Sequence, residues 1–209
     1  RGESVEDGQE FAARIALVGR PNAGKSTLLN TLSGKEVSIV SEQAGTTRDN
    51  IDSIVRFEKE EYLLIDTAGI RKKSRMNEEQ VERFSRLRTL NALSRADLAI
   101  LLIDAREGIS HQDQTLADEI ISTGCGVMVV FSKWDLVREA GRQEVEEELE
   151  LKKLKKVVAD EDEEDVEQKI SKNVSGLRSS LLRQAQSKLP FLNWAPVLFL
   201  SAIEKRGIH

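Results

Sequence analysis

The chain of 209 residues holds one cysteine, Cys125, so no disulfide can close within it. No apolar run approaches the roughly 18 residues that a membrane-spanning helix needs, and no membrane partner is expected. Positive charge is not in surplus: 31 Lys and Arg stand against 36 Asp and Glu, a formal charge of −5. This argues against a surface that coats nucleic acid and leaves room only for a local RNA contact. The first ten residues are acidic and polar and open on Arg1 without a Met, unlike a secretory signal or a basic transit peptide. Residues 1–12 therefore read as an acidic linker cut from something longer. The expected setting is the reducing cytoplasm, or an organellar stroma or matrix. With 39% apolar and 32% charged residues, the remainder suits one sizeable α/β domain with a real core.

What is present is organised around Gly19-Arg20-Pro21-Asn22-Ala23-Gly24-Lys25-Ser26-Thr27, which follows the apolar run 15–18. The pattern G-x-x-x-x-G-K-[ST] puts glycine where the backbone must wrap a phosphate, so that successive N–H groups and a helix N-terminus face anionic oxygens. Asn22, Ala23, Gly24, Lys25, Ser26 and Thr27 are the expected nucleotide-binding residues. Lys25 would reach the β- and γ-phosphates, and Ser26 would offer its hydroxyl to Mg2+, a hard cation that takes oxygen ligands. A glycine-rich turn capping a helix would explain the glycines and Ser26 but gives no reason for Lys25.

After a helix over 25–32, residues 37–50 lack a helix or strand period and read as a functional loop. Residues 51–57 alternate weakly as an edge strand, 58–61 form a hairpin turn, and 62–65 are a strand buried on both faces. That strand runs into Asp66-Thr67-Ala68-Gly69 and then a helix with Val81, Phe84, Leu87 and Leu90 on one side. Strands at 98–103 and 127–131, with a helix at 112–123 between them, continue a β-α-β alternation and predict a parallel sheet. Between 138 and 189 the apolar stripes narrow, and the run 160–165 is wholly acidic. Two charged helices are expected there, a solvated surface excursion without ligand chemistry. A last buried strand at 196–200 leads into Ser201-Ala202.

Each of these segments ends where an open α/β sheet places its ligands, beyond the carboxyl ends of the strands. Asp66 is placed to hold Mg2+ through water, Thr47 to supply a second hydroxyl, and the Gly69 N–H to touch a γ-phosphate; Lys25, Thr47 and Gly69 are the catalytic candidates. In Ser132-Lys133-Trp134-Asp135 a carboxylate can accept hydrogen bonds from guanine N1–H and the exocyclic amine, a pair that adenine lacks, which favours GTP over ATP. A P-loop kinase or ATPase would use the same phosphate loop, and Asp135 speaks against it. Cys125 reads as a buried structural thiol and His111 as a loop residue. The basic run 71–75 serves equally as an RNA or domain contact or as a solvated switch loop.

Together GRPNAGKST, AGTTRD, DTAGI, SKWD and SA resemble the Era/Der/MnmE group of P-loop GTPases, and residues 77–114 most resemble the second GTPase domain of the Der (EngA) family of ribosome-assembly GTPases. The resemblance covers 14–137 and 189–206. It implies a three-layer fold with a mostly parallel six-stranded sheet and one antiparallel edge strand, and a GTPase domain over 13–209 that lacks its last helix and carries a charged helical insertion at about 138–189. It also implies a slow GTP-hydrolysing switch with Mg2+, stimulated by potassium or by a partner, that acts in assembly of the large ribosomal subunit. Its partners would be GTP, the subunit or its rRNA, and neighbouring domains. A tRNA-modification GTPase of the MnmE kind, or a GDP-holding docking module, are the alternatives. By the same resemblance Ser132, Lys133, Asp135, Ser201 and Ala202 form the base site. The family's usual Asn is here Ser132, whose shorter hydroxyl cannot make both of the amide's bridging contacts. Ile70 replaces the glutamine that orients water in other switches, and Asn22 matches an asparagine that holds K+ in potassium-activated relatives, with carbonyls near Ser41, Gln43 and Thr46 completing the shell. Capping of a turn is the other reading of Asn22.

Overall fold

The computed structural model describes residues 10–32, 37–44, 51–67, 78–154 and 163–207, with the backbone alone described at 37–44, 51, 78–86 and 153. In chain order the elements are β1 (Ala13–Val18), α1 (Lys25–Leu32), β2 (Val37–Ala44), β3 (Ile51–Phe57), β4 (Glu60–Ile65), α2 (Glu78–Arg95), β5 (Leu98–Asp104), α3 (His111–Thr123), β6 (Gly126–Ser132), α4 (Trp134–Leu154), α5 (Glu163–Lys188) and β7 (Val197–Phe199). The sheet order is β2-β3-β4-β1-β5-β6-β7. β4, β1, β5, β6 and β7 run parallel, and β3 is antiparallel to both of its neighbours.

The expected α/β class holds, a mostly parallel sheet with a single antiparallel strand. Among the described residues the strands number seven, because residues 37–44 of the expected loop form β2 on the edge of β3. The antiparallel strand therefore lies one place in from the edge. The register shifts between Ile39 and Ser41. Such an irregularity moves later side chains to the other face and destroys the period-2 signal by which a strand is read in sequence.

β1 is the middle strand, and β5 and β6 are interior strands between it and the edge strand β7. Leu101, Leu102, Ile103 and Phe131 are fully buried, as expected of parallel strands covered on both faces. The helix after β4 differs from its expected face: Leu87 is 64% exposed, while Ala92 and Leu93 are buried. The segment 138–189 differs too. Its second half is no excursion, because Leu177, Leu181, Ala185 and Leu189 recur every four residues and lay one stripe of α5 and its end into the same core as Val129 and Phe131. Sequence alone could not separate this stripe from a narrow one on a solvated helix. Among the described residues, no helix is long and apolar enough to cross a membrane.

Candidate functional site

The phosphate loop follows from what β1 runs into. Gly19 has φ +155°, and a Cβ there would sit 2.4 Å from Leu102 O on neighbouring β5, so only glycine lets the chain leave the sheet at this point. Asn22 (φ +65°) and Gly24 (φ +97°) complete a loop in which three of six residues take positive φ. Asparagine is among the few side chains that tolerate this conformation. Ala23 is buried and Asn22 exposed, and Ser26 and Thr27 lie exposed in the first turn of α1. Leu28 and Leu29 anchor that helix from below.

Lys25 Nζ donates to Gly19 O at 2.5 Å and to Arg20 O at 2.7 Å. Burial lowers its pKa to about 8. The ammonium is thus held inside the loop, over the carbonyls it would leave for phosphate oxygens. Ala16 of β1 pairs with Ile65 of β4, so Asp66 and Thr67 leave the sheet at the level where β1 gives way to the loop. Asp66 has φ +55°, and its N–H donates to Asp52 Oδ1 at 2.8 Å. Asp52, itself buried, also accepts from Arg95, and Thr67 shares a 2.8 Å hydrogen bond with Ser53. Asp66 and Thr67 are therefore held by β3 as well as by their own strand. Thr47, Gly69 and Thr46 lie outside the described residues, as do Ile70 and the basic run 71–75.

On the other side, Ser132 is 2% exposed and its hydroxyl donates to Ala23 O at 2.6 Å, with Ile103 O a second acceptor at 3.2 Å. A serine can therefore tie β6 to the phosphate loop, although one proton serves one acceptor at a time. Lys133 (φ +56°) donates to Asp104 Oδ2 at 2.7 Å. Burial alone would raise the Asp104 pKa, but hydrogen bonds from Arg106 and Lys133 outweigh it and hold the carboxyl well below its ordinary range. Asp135 is half-buried in the first turn of α4. The N–H of Trp134 donates to Leu200 O at 3.1 Å, and that of Leu200 to Phe131 O at 2.9 Å. These two bonds set Ser201 and Ala202 beside the 132–135 turn. Thr31 of α1 reaches Ala202 O at 3.0 Å, so the first helix closes the ring.

The candidates Asn22 to Thr27, Asp66, Ser132, Lys133, Asp135, Ser201 and Ala202 thus lie at the carboxyl ends of four parallel strands, β1, β4, β6 and β7, on one edge of the sheet. Sequence reasoning missed Arg20, Asp52, Arg95, Asp104 and Asp113, charged residues whose partners across the fold stand 29 to 93 positions away, too far for any local pattern to reveal. Ser110 and Asp113 had a signal: S-x-x-D before a helix is a capping box, and both of its reciprocal bonds are present. His111 is the exposed first residue of α3, and Cys125 is half-buried beside Thr123 Oγ1.

Comparison with known proteins bears on this arrangement. A protein named GTPase Der from Fusobacterium nucleatum subsp. nucleatum is 39% identical over 194 residues, covering 93% of this chain and 36% of its own length. Another GTPase Der, from Thermosipho africanus, is 34% identical over 206 residues, with 99% and 39% covered. The chain spans little more than a third of the length of these relatives. Among solved structures, a point variant of Aquifex aeolicus Era bound to GDP·AlF4− superposes with a TM-score of 0.54 at 27% identity, over 92% of this chain and 52% of that one. Era in complex with MgGDPNP and nucleotides 1506–1542 of 16S ribosomal RNA gives 0.55, also at 27% identity and with the same coverage. A family model described as 50S ribosome-binding GTPase matches residues 14–133, from the start of β1 to Lys133. That span exceeds half of the chain and contains the phosphate loop, the Asp66 strand end and Ser132, and on it the chain belongs to the 50S ribosome-binding GTPase family.

Proposed function

We propose that the chain is the nucleotide-binding switch of a ribosome-assembly GTPase, binding GTP with Mg2+ and hydrolysing it slowly to GDP and phosphate. The observation that carries this reading is the Ser132 to Ala23 O hydrogen bond of 2.6 Å. It joins the base-reading turn to the phosphate loop, as one ligand with a base at one end and phosphates at the other requires. The loop N–H groups and the α1 N-terminus hold the phosphates, with Lys25 between them. Asp135 reads guanine, flanked by Lys133, Ser201 and Ala202. Ser26 and Asp66 would offer oxygen donors suited to Mg2+, and Thr47 would add a third. When bound, Mg2+ neutralises charge on the β- and γ-oxygens. Gly69 N–H would meet the γ-phosphate. The relatives named GTPase Der and the Era complex with MgGDPNP and 16S rRNA support a GTPase that binds nucleotide with Mg2+ and meets rRNA, and the family description, 50S ribosome-binding GTPase, supports a partner in the large ribosomal subunit or its rRNA, engaged with help from neighbouring domains in the cytoplasm.

The test is base selectivity. Parent protein should bind GTP far more tightly than ATP by calorimetry. Asp135→Asn should lose most of that preference, about 2–4 kcal/mol, because an amide donor then faces the guanine donors. Selectivity that survives the substitution would place the base elsewhere.

The same reading gives Asn22 a role. With Ile70 unable to orient water, K+ held by Asn22 beside the phosphates supplies positive charge in its place. Carbonyls near Ser41 and Gln43 on the edge strand β2, with Thr46, would complete the shell. Turnover at matched ionic strength should be several-fold faster in K+ than in Na+ for the parent, and equal in the two salts for Asn22→Ala. Equal parent rates would reduce Asn22 to a turn residue.

A further inference from the structure

The Arg20 side chain has no part in the phosphate-binding scheme, although it occupies the second position of the loop. It reaches across to the segment between β5 and α3. Arg20 Nε lies 3.0 Å from both carboxylate oxygens of Asp113, NH1 donates to Glu107 Oε2 at 2.8 Å, and NH2 lies 3.4 Å from Gly108 O. Asp113 is fully buried, and its Oδ2 also accepts from Ser110 N at 2.9 Å and Ser110 Oγ at 2.8 Å. The receiving segment is itself held fast. Gly108 N donates to Asp104 O at 3.0 Å, Lys188 Nζ of α5 donates to Ile109 O at 2.6 Å, and Gln184 Oε1 stands 3.4 Å from Ile109 N. The other end of Arg20 lies inside the nucleotide loop: its carbonyl accepts from Lys25 Nζ and, at 3.2 Å, from Ala23 N.

We propose that Arg20 and Asp113 are positioning residues for the nucleotide site, a strut that keeps the first half of the phosphate loop in its binding shape before nucleotide arrives. The proposal rests on the GTPase reading above. A loop with positive φ at Gly19, Asn22 and Gly24 has many shapes open to it, and whatever ordering is left to the moment of binding is subtracted from affinity. A guanidinium fork suits the task because its planar donors fix orientation as well as distance, and a fully buried carboxylate holds its partner in one place. The strut acts on binding, since nothing in it touches the γ-phosphate side at Asp66.

The experiment compares parent, Arg20→Gln, Asp113→Asn and the double variant in GDP binding and steady-state GTP hydrolysis. In Asp113→Asn the amide oxygen can keep the Ser110 bonds while the NH2 turns a donor toward Arg20. Each single variant should raise KM for GTP and Kd for GDP about tenfold, with kcat at saturation within twofold of the parent. The double variant should be no worse than the weaker single, because the strut breaks once. Should Asp113→Asn fail to fold, Arg20→Gln leaves the α3 cap intact and decides alone. KM and Kd within twofold of the parent, or single losses that multiply in the double, would overturn the strut. A parent that binds neither nucleotide would overturn the GTPase reading and the strut with it; a parent that binds while the variants match it overturns the strut alone.

Discussion

Lys25→Met should lower GTP hydrolysis by about 10²–10³-fold, the range for deleting one donor aimed at developing charge in a closed site. The loss falls on phosphate contacts and not on the fold, because Lys25 Nζ bonds to the carbonyls of Gly19 and Arg20 within its own loop. The nucleotide-free variant should be at least as stable as the parent at pH 7. Burial lowers the folded-state pKa of Lys25 to about 8 from an ordinary 10.5, so at neutral pH the parent carries a charge that its site disfavours. Between pH 8 and 10.5 the unfolded chain holds more protons at this residue than the folded chain, and the parent's stability rises with pH across that window. The advantage of Lys25→Met in the empty state should therefore shrink from about pH 8 upward. Urea unfolding at about pH 7 and about pH 9.5, either side of the folded-state pKa, with single-turnover hydrolysis at saturating GTP, measures both. Hydrolysis within threefold of the parent would mean that Lys25 never reaches the phosphates.

Gly19→Ala should be the most damaging single methyl group in the described structure. Its Cβ would lie 2.4 Å from Leu102 O, a backbone atom of interior β5 that cannot yield without breaking the pairing to β1 or β6. Strained φ adds about 1–2 kcal/mol and overpacking about 1–3 kcal/mol, so a loss on the order of 3 kcal/mol is expected, together with weakened nucleotide binding. Gly124→Ala separates the two causes. Gly124 has φ +76° at the end of α3 and nothing within 4 Å of its missing Cβ, so it suffers the φ strain alone, about 1 kcal/mol. Equal losses in urea unfolding would show that β1 can draw back from β5 and that the loop does not depend on this close approach.

How much of this was legible beforehand depends on the range of the interaction. Gly19 to Thr27, Asp66, Ser132 to Asp135 and Ser201-Ala202 could be read because each motif is a few consecutive residues whose chemistry is local: glycine for a tight backbone, a hydroxyl for a cation, a carboxylate for two donors. The apolar runs before them announced buried parallel strands, and strand ends are where such folds bind ligands. Order along the chain was enough for all of that.

What only the tertiary structure decided is which residues hold those motifs in place. That β2 pairs on the edge of β3 depends on a neighbour's free ladder and is hidden by the shift after Ile39. That Leu181 and Ala185 belong to the core while Leu87 faces solvent depends on where helices settle against the sheet, since all three lie on similarly mixed amphipathic stretches. Arg20 with Asp113, Asp52 with Arg95, and Asp104 with Lys133 are single charges in a chain rich in charge, and become partners only when segments 29 to 93 residues apart are laid side by side. A hydrogen bond depends on distance in space, which local sequence patterns do not contain, and so the motifs proposed to recognise a ligand were readable while the contacts that position them were not.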